Sequence, residues 1–504
     1  MRFVGTFLGK NIYTYDPKIK CSKTDLSVLI SDFSRTESLR QICFFSKQLF
    51  DKPKENLKFR GVPLREEILH YLALTIIENC RDDNQRHLND VALEKALKMC
   101  HYLVDNRYDT NPEQAINTLI EISYNQFIFQ QKNYNNFSRN YYIYTSLWNK
   151  LDHNDICILN EIESEIGIPY NYAIIFAFAL LGNRHGHFWE YGKKEIADIN
   201  YRTGLSLTTE HHRKFISYCC GSYDEITSQD KKIPTFIRFP IINTKISPIK
   251  NKGNVYLIIS QQFVHDKLTT GLYFNLSSRF NEGGKRNKFK EHFGHVFQNY
   301  VGEILNFHLN GWEIVLEFKY KKKNGHQDTV DWFAKQGDKL ILIEVKQSSI
   351  FIESKYSPSN KSIEQDLKKT IIHAVKQLET TKEDITKRQY KELIKFEGIK
   401  KFAKLIIIND PLYNSNFLIK SIFNNEIKYK DFQIININDL EYLLSHKNVH
   451  DYFFDVIYDK KENNNETDFN EYIYSTINDE ACDKDFLQPI WDDFWGKIST
   501  IAPS

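Results

Sequence analysis

The sequence has few cysteines, and none of them is spaced like a metal ligand. Eight cysteines are scattered over 504 residues, without a CxxC pair and without the spacing of a zinc site. A disulfide framework is not expected in a chain of this length, because disulfides mainly stabilise small secreted domains. We therefore predict reduced thiols.

Long apolar segments are also missing. The most apolar run, residues 173–181, is about half of the ~20 residues that a membrane-spanning helix needs. The first residues, MRFVGTFLGKNIY, lack the apolar core of a signal peptide. We therefore expect a soluble, cytoplasmic protein with no membrane partner.

The chain has almost no net charge, but its charges are unevenly distributed. The formal net charge is +2, which argues against a protein that binds nucleic acid along its whole length. Residues 281–410 nevertheless carry six more basic than acidic side chains, and residues 447–504 carry eight more acidic than basic ones. The first region could face phosphates, whereas the second could not.

Several common catalytic motifs are absent. The sequence contains no Walker A phosphate loop, no HExxH helix and no Rossmann glycine fingerprint. An NTPase or a nicotinamide-dependent enzyme therefore has no support, and the chemistry must be sought elsewhere.

The length predicts more than one domain, because single cores usually stop growing near 250–300 residues. Periodicity and composition predict a multidomain α+β chain with four parts. These are a mainly helical domain of unknown role, which could recognise or sense a ligand (1–225), a β-rich segment with a basic linker (226–288), an α/β domain with a mixed central sheet (289–446) and an acidic C-terminal tail (447–504).

The α/β domain has a regular predicted order: helix, three strands in a meander, helix, strand, helix, strand. Apolar residues at helical spacing predict the first helix, and alternating apolar and polar residues predict the first strand. The predicted elements before the last strands are a helix (289–309), three strands (312–320, 329–334 and 340–346) and a second helix (363–380).

The third strand, LILIEVK, holds the most informative residues. Four consecutive apolar residues predict burial on both faces. Glu344 and Lys346 extend this run and point to one face, since side chains two apart in a strand do so. A buried carboxylate is costly unless it is compensated, and Asp331 on the preceding strand is a suitable neighbour. Asp328 is an alternative, but it lies nearer the turn.

Two converging carboxylates form an oxygen-rich site suited to Mg²⁺. Such a site can hydrolyse a phosphodiester, because the ion neutralises phosphate charge and lowers the pKa of a water molecule. A lysine beside it can orient that water and stabilise negative charge in the transition state. The competing interpretation, a surface ion pair between Glu344 and Lys346, fits the buried run poorly.

Here the sequence resembles the PD-(D/E)XK nuclease superfamily, the restriction-endonuclease-like fold. The matching residues are Asp331 within DTVDWFA and Glu344-Val345-Lys346 within LILIEVKQS. The resemblance implies that Asp331, Glu344 and the backbone carbonyl of Val345 bind Mg²⁺, for which Mn²⁺ can substitute. It also implies that Lys346 assists the attacking water.

One position departs from that pattern. Many relatives carry a glutamate on the helix before the strands, in a Gly-x-x-Phe-Glu-x-Tyr context, whereas this chain has Gln298 there. Either Glu303 substitutes as a metal ligand, although it lies about 140° further around a 3.6-residue helix, or metal binding rests on two carboxylates. Gln377 lies where relatives often place a polar active-site residue.

Other residues are candidates for contact with nucleic acid. Lys369 and His373 share a helical face that could follow a phosphate backbone, with solvated surface as the alternative. Gln298 and Gln377 could contact nucleic acid from inside the site. The acidic tail could occupy the basic groove, with a solvated extension as the alternative.

The function expected from these features is Mg²⁺-dependent endonuclease activity, on DNA rather than RNA. Cutting both strands would need two sites, so a homodimer is plausible. By analogy, the arrangement is similar to bacterial restriction or anti-phage defence effectors, with an unidentified partner protein. The alternative is a catalytically degenerate nuclease fold that binds nucleic acid or acts as a sensor, which Gln298 favours.

Overall fold

The structure is a computed structural model. It describes residues 2–7, 10–14, 18–53, 55–84, 86–106, 115–126, 135–151, 155–229, 235–245, 254–281, 287–322, 325–347, 355, 360–409, 412–413, 415–423, 426–427, 431–476 and 485–499.

The described part of the first 281 residues is mainly helical. Its helices are α1 (Lys23–Ile30), α2 (Arg35–Asp51), α3 (Glu66–Asn79), α4 (Asp90–Asp105), α5 (Ala115–Gln126), α6 (Asn135–Tyr142), α7 (Ile158–Ile166), α8 (Tyr170–Leu181), α9 (Lys193–Thr203), α10 (Thr209–Cys219), α11 (Tyr223–Thr227), α12 (Thr235–Arg238), α13 (Gln261–Leu268) and α14 (Thr270–Arg279). Its strands are β1 (Arg2–Phe7), β2 (Lys10–Thr14), β3 (Lys58–Phe59), β4 (Val62–Pro63), β5 (His187–Trp189), β6 (Cys220–Ser222), β7 (Ile241–Asn243) and β8 (Val255–Ile258).

Local sequence explains where several of these helices begin. The side chains of Ser34, Asn89 and Thr208 each accept a backbone N–H from the first turn of the helix that follows. Such caps satisfy donors that have no partner within the helix. The described part of residues 1–225 is mainly helical, as the sequence predicts.

The prediction of a β-rich segment over residues 226–288 is wrong for its described part. The strands there, β7 and β8, comprise seven residues, whereas α12, α13 and α14 comprise 22. Ser260 caps α13 through its side chain, and Leu272 and Leu276 recur at helical spacing inside the core. The prolines and β-branched residues of this segment are typical of strands, but the helical signals outweigh them. Residues 282–286 of the predicted linker lie outside the described residues.

The rest of the chain alternates between helices and strands. Its elements are α15 (Lys288–His308), β9 (Glu313–Leu316), β10 (Lys319–Lys322), β11 (Gly325–Asp328), β12 (Trp332–Gln336), β13 (Lys339–Lys346), α16 (Asn360–Lys387), β14 (Lys401–Ile408), α17 (Ser415–Ile422), β15 (Gln433–Asn436), α18 (Ile437–Leu444), α19 (Val449–Glu462), α20 (Phe469–Thr476) and α21 (Gln488–Ser499).

Five of these strands form a mixed sheet in the order β15-β14-β13-β12-β9. The pairs β9–β12 and β12–β13 are antiparallel, and the pairs β13–β14 and β14–β15 are parallel. The parallel step from β13 to β14 is made through α16, as parallel strands require a long connection. The predicted order is confirmed except in the meander, where the structure has five strands, β9 to β13, in place of the three predicted.

Helices cover both faces of this sheet. Ile341 and Ile343 of β13 belong to the apolar core that contains Phe297 of α15 and Phe453 of α19. The alternate residues of β13 belong to a second core together with Ile371 of α16. Coverage on both faces explains why β13 reads as a continuous apolar run rather than an alternating one.

The chain as a whole is a mixed α+β structure with a helical majority. The first of these cores takes residues from Phe50 on α2 through to Phe494 on α21. The division at residues 225, 288 and 446 stays a prediction.

The segment predicted as an acidic tail contains three helices whose apolar residues are buried. Phe453 and Ile457 of α19 are at most 1% exposed, and the Trp491 and Trp495 rings lie 5.3 and 5.8 Å from the ring of Phe178 on α8. Its acidic side chains lie between apolar ones at helical spacing, so one face is buried although the net charge is negative.

No single helix within the described ranges is both long and apolar enough to cross a membrane. The helices α7 and α8 reach that length and composition only when taken together, and they are bent by 47° at their junction.

Candidate metal centre

The central strand of the sheet presents two of the three predicted catalytic residues. The residues Leu340–Ile343 of β13 are fully buried between β12 and β14. Glu344 and Lys346 follow at the carboxyl end of the strand, where Glu344 is also fully buried and the Lys346 side chain is 19% exposed. The charged pair Glu344 and Lys346 therefore lies at the carboxyl end of β13, directly after the buried apolar residues of the strand.

A β-bulge presents the third residue, Asp331. The β9–β12 ladder pairs Leu316 with Trp332, whereas the β10–β11 ladder pairs Lys319 with Asp328. Two residues on one strand thus oppose three on the other, which is the count of a bulge. The first two predicted strands are therefore one long ribbon, interrupted beside Asp331. Bulges of this kind redirect side chains and are frequent next to active sites.

The carboxylate of Asp331 closes the cluster. Its Oδ2 atom accepts a hydrogen bond of 2.6 Å from the Val345 backbone N–H and lies 3.3 Å from the Nζ atom of Lys346. The same Nζ atom lies 2.5 Å from Oε2 of Glu344. The structure thus brings Asp331, Glu344, Val345 and Lys346 together, as the sequence predicts.

Burial makes this cluster electrostatically unusual. Burial first, and the neighbouring Asp331 carboxylate second, raise the pKa of Glu344 to about 8, although Lys346 opposes this shift. Burial lowers the pKa of Lys346, but the two carboxylates outweigh it and the pKa is raised overall. Lys346 therefore stays charged at neutral pH, whereas much of Glu344 is protonated.

The residues present fit a divalent cation. Both carboxylate oxygens of Glu344 are buried, and Oε2 forms an ion pair with Nζ of Lys346 at 2.5 Å. A buried carboxylate normally has hydrogen-bond partners or a metal. Together with Asp331 and the Val345 carbonyl, it offers the hard oxygen ligands that Mg²⁺ prefers. Across the described ranges, however, no three histidine, cysteine or acidic side chains already converge on one metal position.

Gln298 on α15 does not contact Asp331 or Glu344 directly. Its Nε2 donates a hydrogen bond of 2.9 Å to Oε1 of Glu317, and its backbone carbonyl accepts one of 2.9 Å from the Trp332 indole. Trp332 in turn packs against Gly302 of α15 so closely that an added Cβ would lie 2.1 Å from the ring. Helix α15 therefore contacts both Trp332, which follows Asp331 in the chain, and Glu317, which lies on the opposite side of the ribbon.

Gln377 on α16 supports the same bulge from the other face of the sheet. Its Nε2 donates a hydrogen bond to the backbone carbonyl of Thr329, which is fully buried. A bulge leaves backbone groups without ladder partners, and burying such a group unpaired costs about 1–3 kcal/mol. In this structure Gln377 is therefore a positioning residue, and its contact with nucleic acid stays a prediction.

Glu303 and Asp328 lie outside the cluster. The Glu303 carboxylate accepts a hydrogen bond from the hydroxyl of Tyr142 and lies 3.0 Å from Nζ of Lys150. Asp328 ends the exposed hairpin strand β11, 3.5 Å from Lys319. The sequence left two alternatives, a substitute ligand at Glu303 or a metal site with two carboxylates. The structure gives no support to Glu303.

The two predicted backbone contacts lie on α16. His373 is exposed, as a phosphate contact requires. The side chain of Lys369 lies outside the described part of the structure. Their role in nucleic-acid binding stays a prediction.

Sequence analysis missed Glu317 and Trp332 as residues of the site. Both lie within predicted strands, but their proximity to Asp331 depends on the pairing register, which a single sequence does not fix when a bulge interrupts it. Glu317 takes a polar position in the alternating pattern that predicts the first strand, so its residue type carries no further signal.

Comparison with protein-family models, with curated proteins and with solved structures gave no match to this chain.

Proposed function

We propose that the C-terminal half of this protein is a metal-dependent nuclease that hydrolyses phosphodiester bonds, with Mg²⁺ as the cofactor and Mn²⁺ able to substitute. The observation that carries the proposal is the fully buried Glu344 carboxylate, which forms an ion pair with Lys346 and has the Asp331 carboxylate as its neighbour. An ionisable group with a strongly shifted pKa and a specific charge partner is typical of a functional site.

The topology supports this proposal. A helix, an antiparallel meander, a crossover helix and two further parallel strands follow the order of the restriction-endonuclease-like fold that the motif implies. We therefore assign residues 289–446 to that fold as part of the proposal.

The residues have distinct proposed roles. Asp331, Glu344 and the Val345 carbonyl would hold the cation, which when bound neutralises phosphate charge and lowers the pKa of a water molecule. The Val345 N–H fixes one oxygen of Asp331 and leaves the rest of the carboxylate for the ion. Lys346, held charged between the carboxylates, would orient the attacking water and stabilise charge on the transferring phosphate.

We favour DNA over RNA as substrate, by analogy with restriction and anti-phage defence effectors. Cleavage of both strands would need a homodimer, or a partner protein that supplies the second site.

The second candidate is a catalytically degenerate, nucleic-acid-binding or sensor protein. The specific observation that favours it is the amide of Gln298 in place of the helix carboxylate. Against it stands the intact cluster of Asp331, Glu344 and Lys346.

The test is cleavage of plasmid DNA, linear DNA and RNA by the full chain in Mg²⁺, Mn²⁺ or EDTA. Glu344→Gln and Lys346→Met should each lose roughly 100-fold or more in rate, because each removes an electrostatic partner of the transition state. Lys339→Met is a matched control, because Lys339 lies on the same strand but pairs with Asp455.

Equal activity in wild type and Glu344→Gln would disprove the assignment of the site. Metal binding without cleavage of any substrate would favour the degenerate protein instead.

A further inference from the structure

Three carboxylate residues occupy one row of the sheet region: Glu344 lies on β13, and Asp331 and Glu317 each lie one residue beyond an end of β12 and β9. The pairing of Trp332 with Leu316 on one side and with Ile343 on the other places Asp331 opposite both Glu317 and Glu344. The Glu317 backbone N–H donates a hydrogen bond of 2.8 Å to the Asp331 carbonyl, which extends the β9–β12 ladder by one residue. Residues directly opposite each other in such a ladder are about 5.5 Å apart between Cα atoms.

The side chain of Glu317 is less constrained than the other two carboxylates. It is half-buried, whereas Glu344 is fully buried and Asp331 is 8% exposed. Its carboxylate contacts the Gln298 amide at 2.9 Å. The hydrogen bond holds the carboxylate beside the cluster but outside it, and rotation about the side-chain bonds of Glu317 would release it.

Charge balance gives Glu317 a role. A divalent cation and Lys346 together carry three positive charges, whereas Asp331 and Glu344 supply two negative ones. Buried charges are costly unless they are compensated, and a third carboxylate would complete the balance. Gln298, at the position where the resemblance implies a glutamate, cannot supply it.

We propose that Glu317 is the third carboxylate of the metal site and that it lies on the ribbon instead of on α15. The hydrogen bond from the Gln298 amide positions the Glu317 carboxylate beside the site before the metal binds. This inference rests on the proposed function. It assigns the ligand that the predicted pair of carboxylates lacks, and it gives Gln298 a positioning role in place of a ligand role.

The competing explanation is that Glu317 is only a structural partner of Gln298. Glu317→Gln separates the two, because the substituted amide still offers a carbonyl oxygen to Gln298 but carries no charge. Glu317→Asp keeps the charge and shortens the reach. Glu313→Gln is the matched control, since Glu313 lies on the same strand and pairs with Lys335 instead.

The experiment is isothermal titration of the full chain with Mg²⁺ and with Mn²⁺, in the absence of nucleic acid. Glu317→Gln should weaken metal affinity roughly 10- to 100-fold, in the range seen when the surroundings of a metal are disturbed. Asp331→Asn should weaken it at least as much, and Glu313→Gln should leave it unchanged. Urea unfolding midpoints of all variants establish that each one is folded.

The outcomes are distinguishable. Wild-type metal affinity in Glu317→Gln, together with weakened affinity in Asp331→Asn, would overturn this inference and leave the proposed nuclease intact. If the wild-type protein bound neither ion, this inference and the proposed nuclease would both be overturned. The same would follow if Asp331→Asn bound the ions with wild-type affinity.

Discussion

At the scale of single residues, the site is defined by one carboxyl group that is expensive to ionise. Glu344 is fully buried, and its pKa is raised to about 8 from the ordinary value of 4.5. Below pH 4.5 the group is protonated in both folded and unfolded chains. Between the two values only the unfolded chain releases the proton, so stability is lost as pH rises through the folded pKa.

We therefore predict that Glu344→Gln stabilises the metal-free protein relative to wild type, increasingly from about pH 5 to about pH 8. The difference should reach the order of a few kcal/mol, because each pKa unit corresponds to about 1.4 kcal/mol. Urea unfolding in EDTA across this pH range measures it. A difference that does not change with pH would contradict the buried, protonated state of Glu344.

The proposed catalytic residues could be predicted from sequence, but the contacts of the surrounding residues could be predicted only in part. Asp331, Glu344 and Lys346 were identified because a charged pair follows an apolar run, and the structure brings them together. From sequence, Glu303 is the substitute considered for the missing carboxylate, and Glu317 is not considered. The contact of Glu303 with Tyr142 on α6 joins residues 161 positions apart, and no local pattern reveals such a contact.

At the scale of elements, α15 determines where the ribbon lies. Two glycines of this helix face neighbours, but at very different distances. A Cβ added at Gly302 would lie 2.1 Å from the Trp332 ring, whereas one added at Gly294 would meet the Gln347 amide at 3.6 Å, an ordinary contact. The first glycine is required by close packing, and the second is not.

We predict opposite effects of alanine at these two positions. Gly294→Ala should stabilise the protein by up to about 1 kcal/mol, because alanine is the better helix former. Gly302→Ala should destabilise it by roughly 1–3 kcal/mol, because the buried ring must move. It should also slow cleavage, since Trp332 adjoins Asp331. Denaturant midpoints and cleavage rates of both variants test this, and stabilisation by both substitutions would show that the packing of Trp332 against α15 is not tight.

The order of these elements could be predicted from sequence, but the bulge could not. Hydrophobic periodicity predicts both ends of α15 and β13 to within one residue, because each has a strong apolar pattern, whereas α16 continues seven residues beyond its predicted end. The ribbon was read as two plain strands, since its pairing register shifts within the short stretch 329–331. Polar residues of a hairpin carry little information about such a shift.

At the scale of the whole molecule, a buried ion pair joins the N-terminal helices to the sheet region. Arg139 on α6 contacts both carboxylate oxygens of Glu441 on α18, at 2.7 and 2.8 Å. The hydroxyl of Tyr300 on α15 donates to the same carboxylate at 2.6 Å. Burial raises the pKa of Glu441, and Arg139 opposes this effect. The Glu441 carboxylate therefore links the three helices, and its burial would be unfavourable without Arg139 and Tyr300.

Arg139→Met should cost about 3–5 kcal/mol of unfolding free energy, because it leaves the Glu441 carboxylate buried without its cation. The loss should be larger at pH 8 than at pH 6, since removing Arg139 raises the pKa of Glu441 further and ionisation then opposes folding. Urea unfolding at both pH values measures the effect.

The double variant Arg139→Met/Glu441→Leu decides whether the pair or the packing matters. Replacing both members of a buried pair by apolar residues is often close to neutral, so the double variant should be more stable than Arg139→Met alone. Lys387→Met is the control, because its pair with Glu383 is 51% exposed on both sides and should contribute little to stability. If Arg139→Met costs no more than Lys387→Met, the N-terminal helices are not energetically coupled to the sheet through this pair. A large cost in Arg139→Met that the double variant relieves would mean that the unpaired Glu441 charge, and not the lost packing of Arg139, causes the destabilisation.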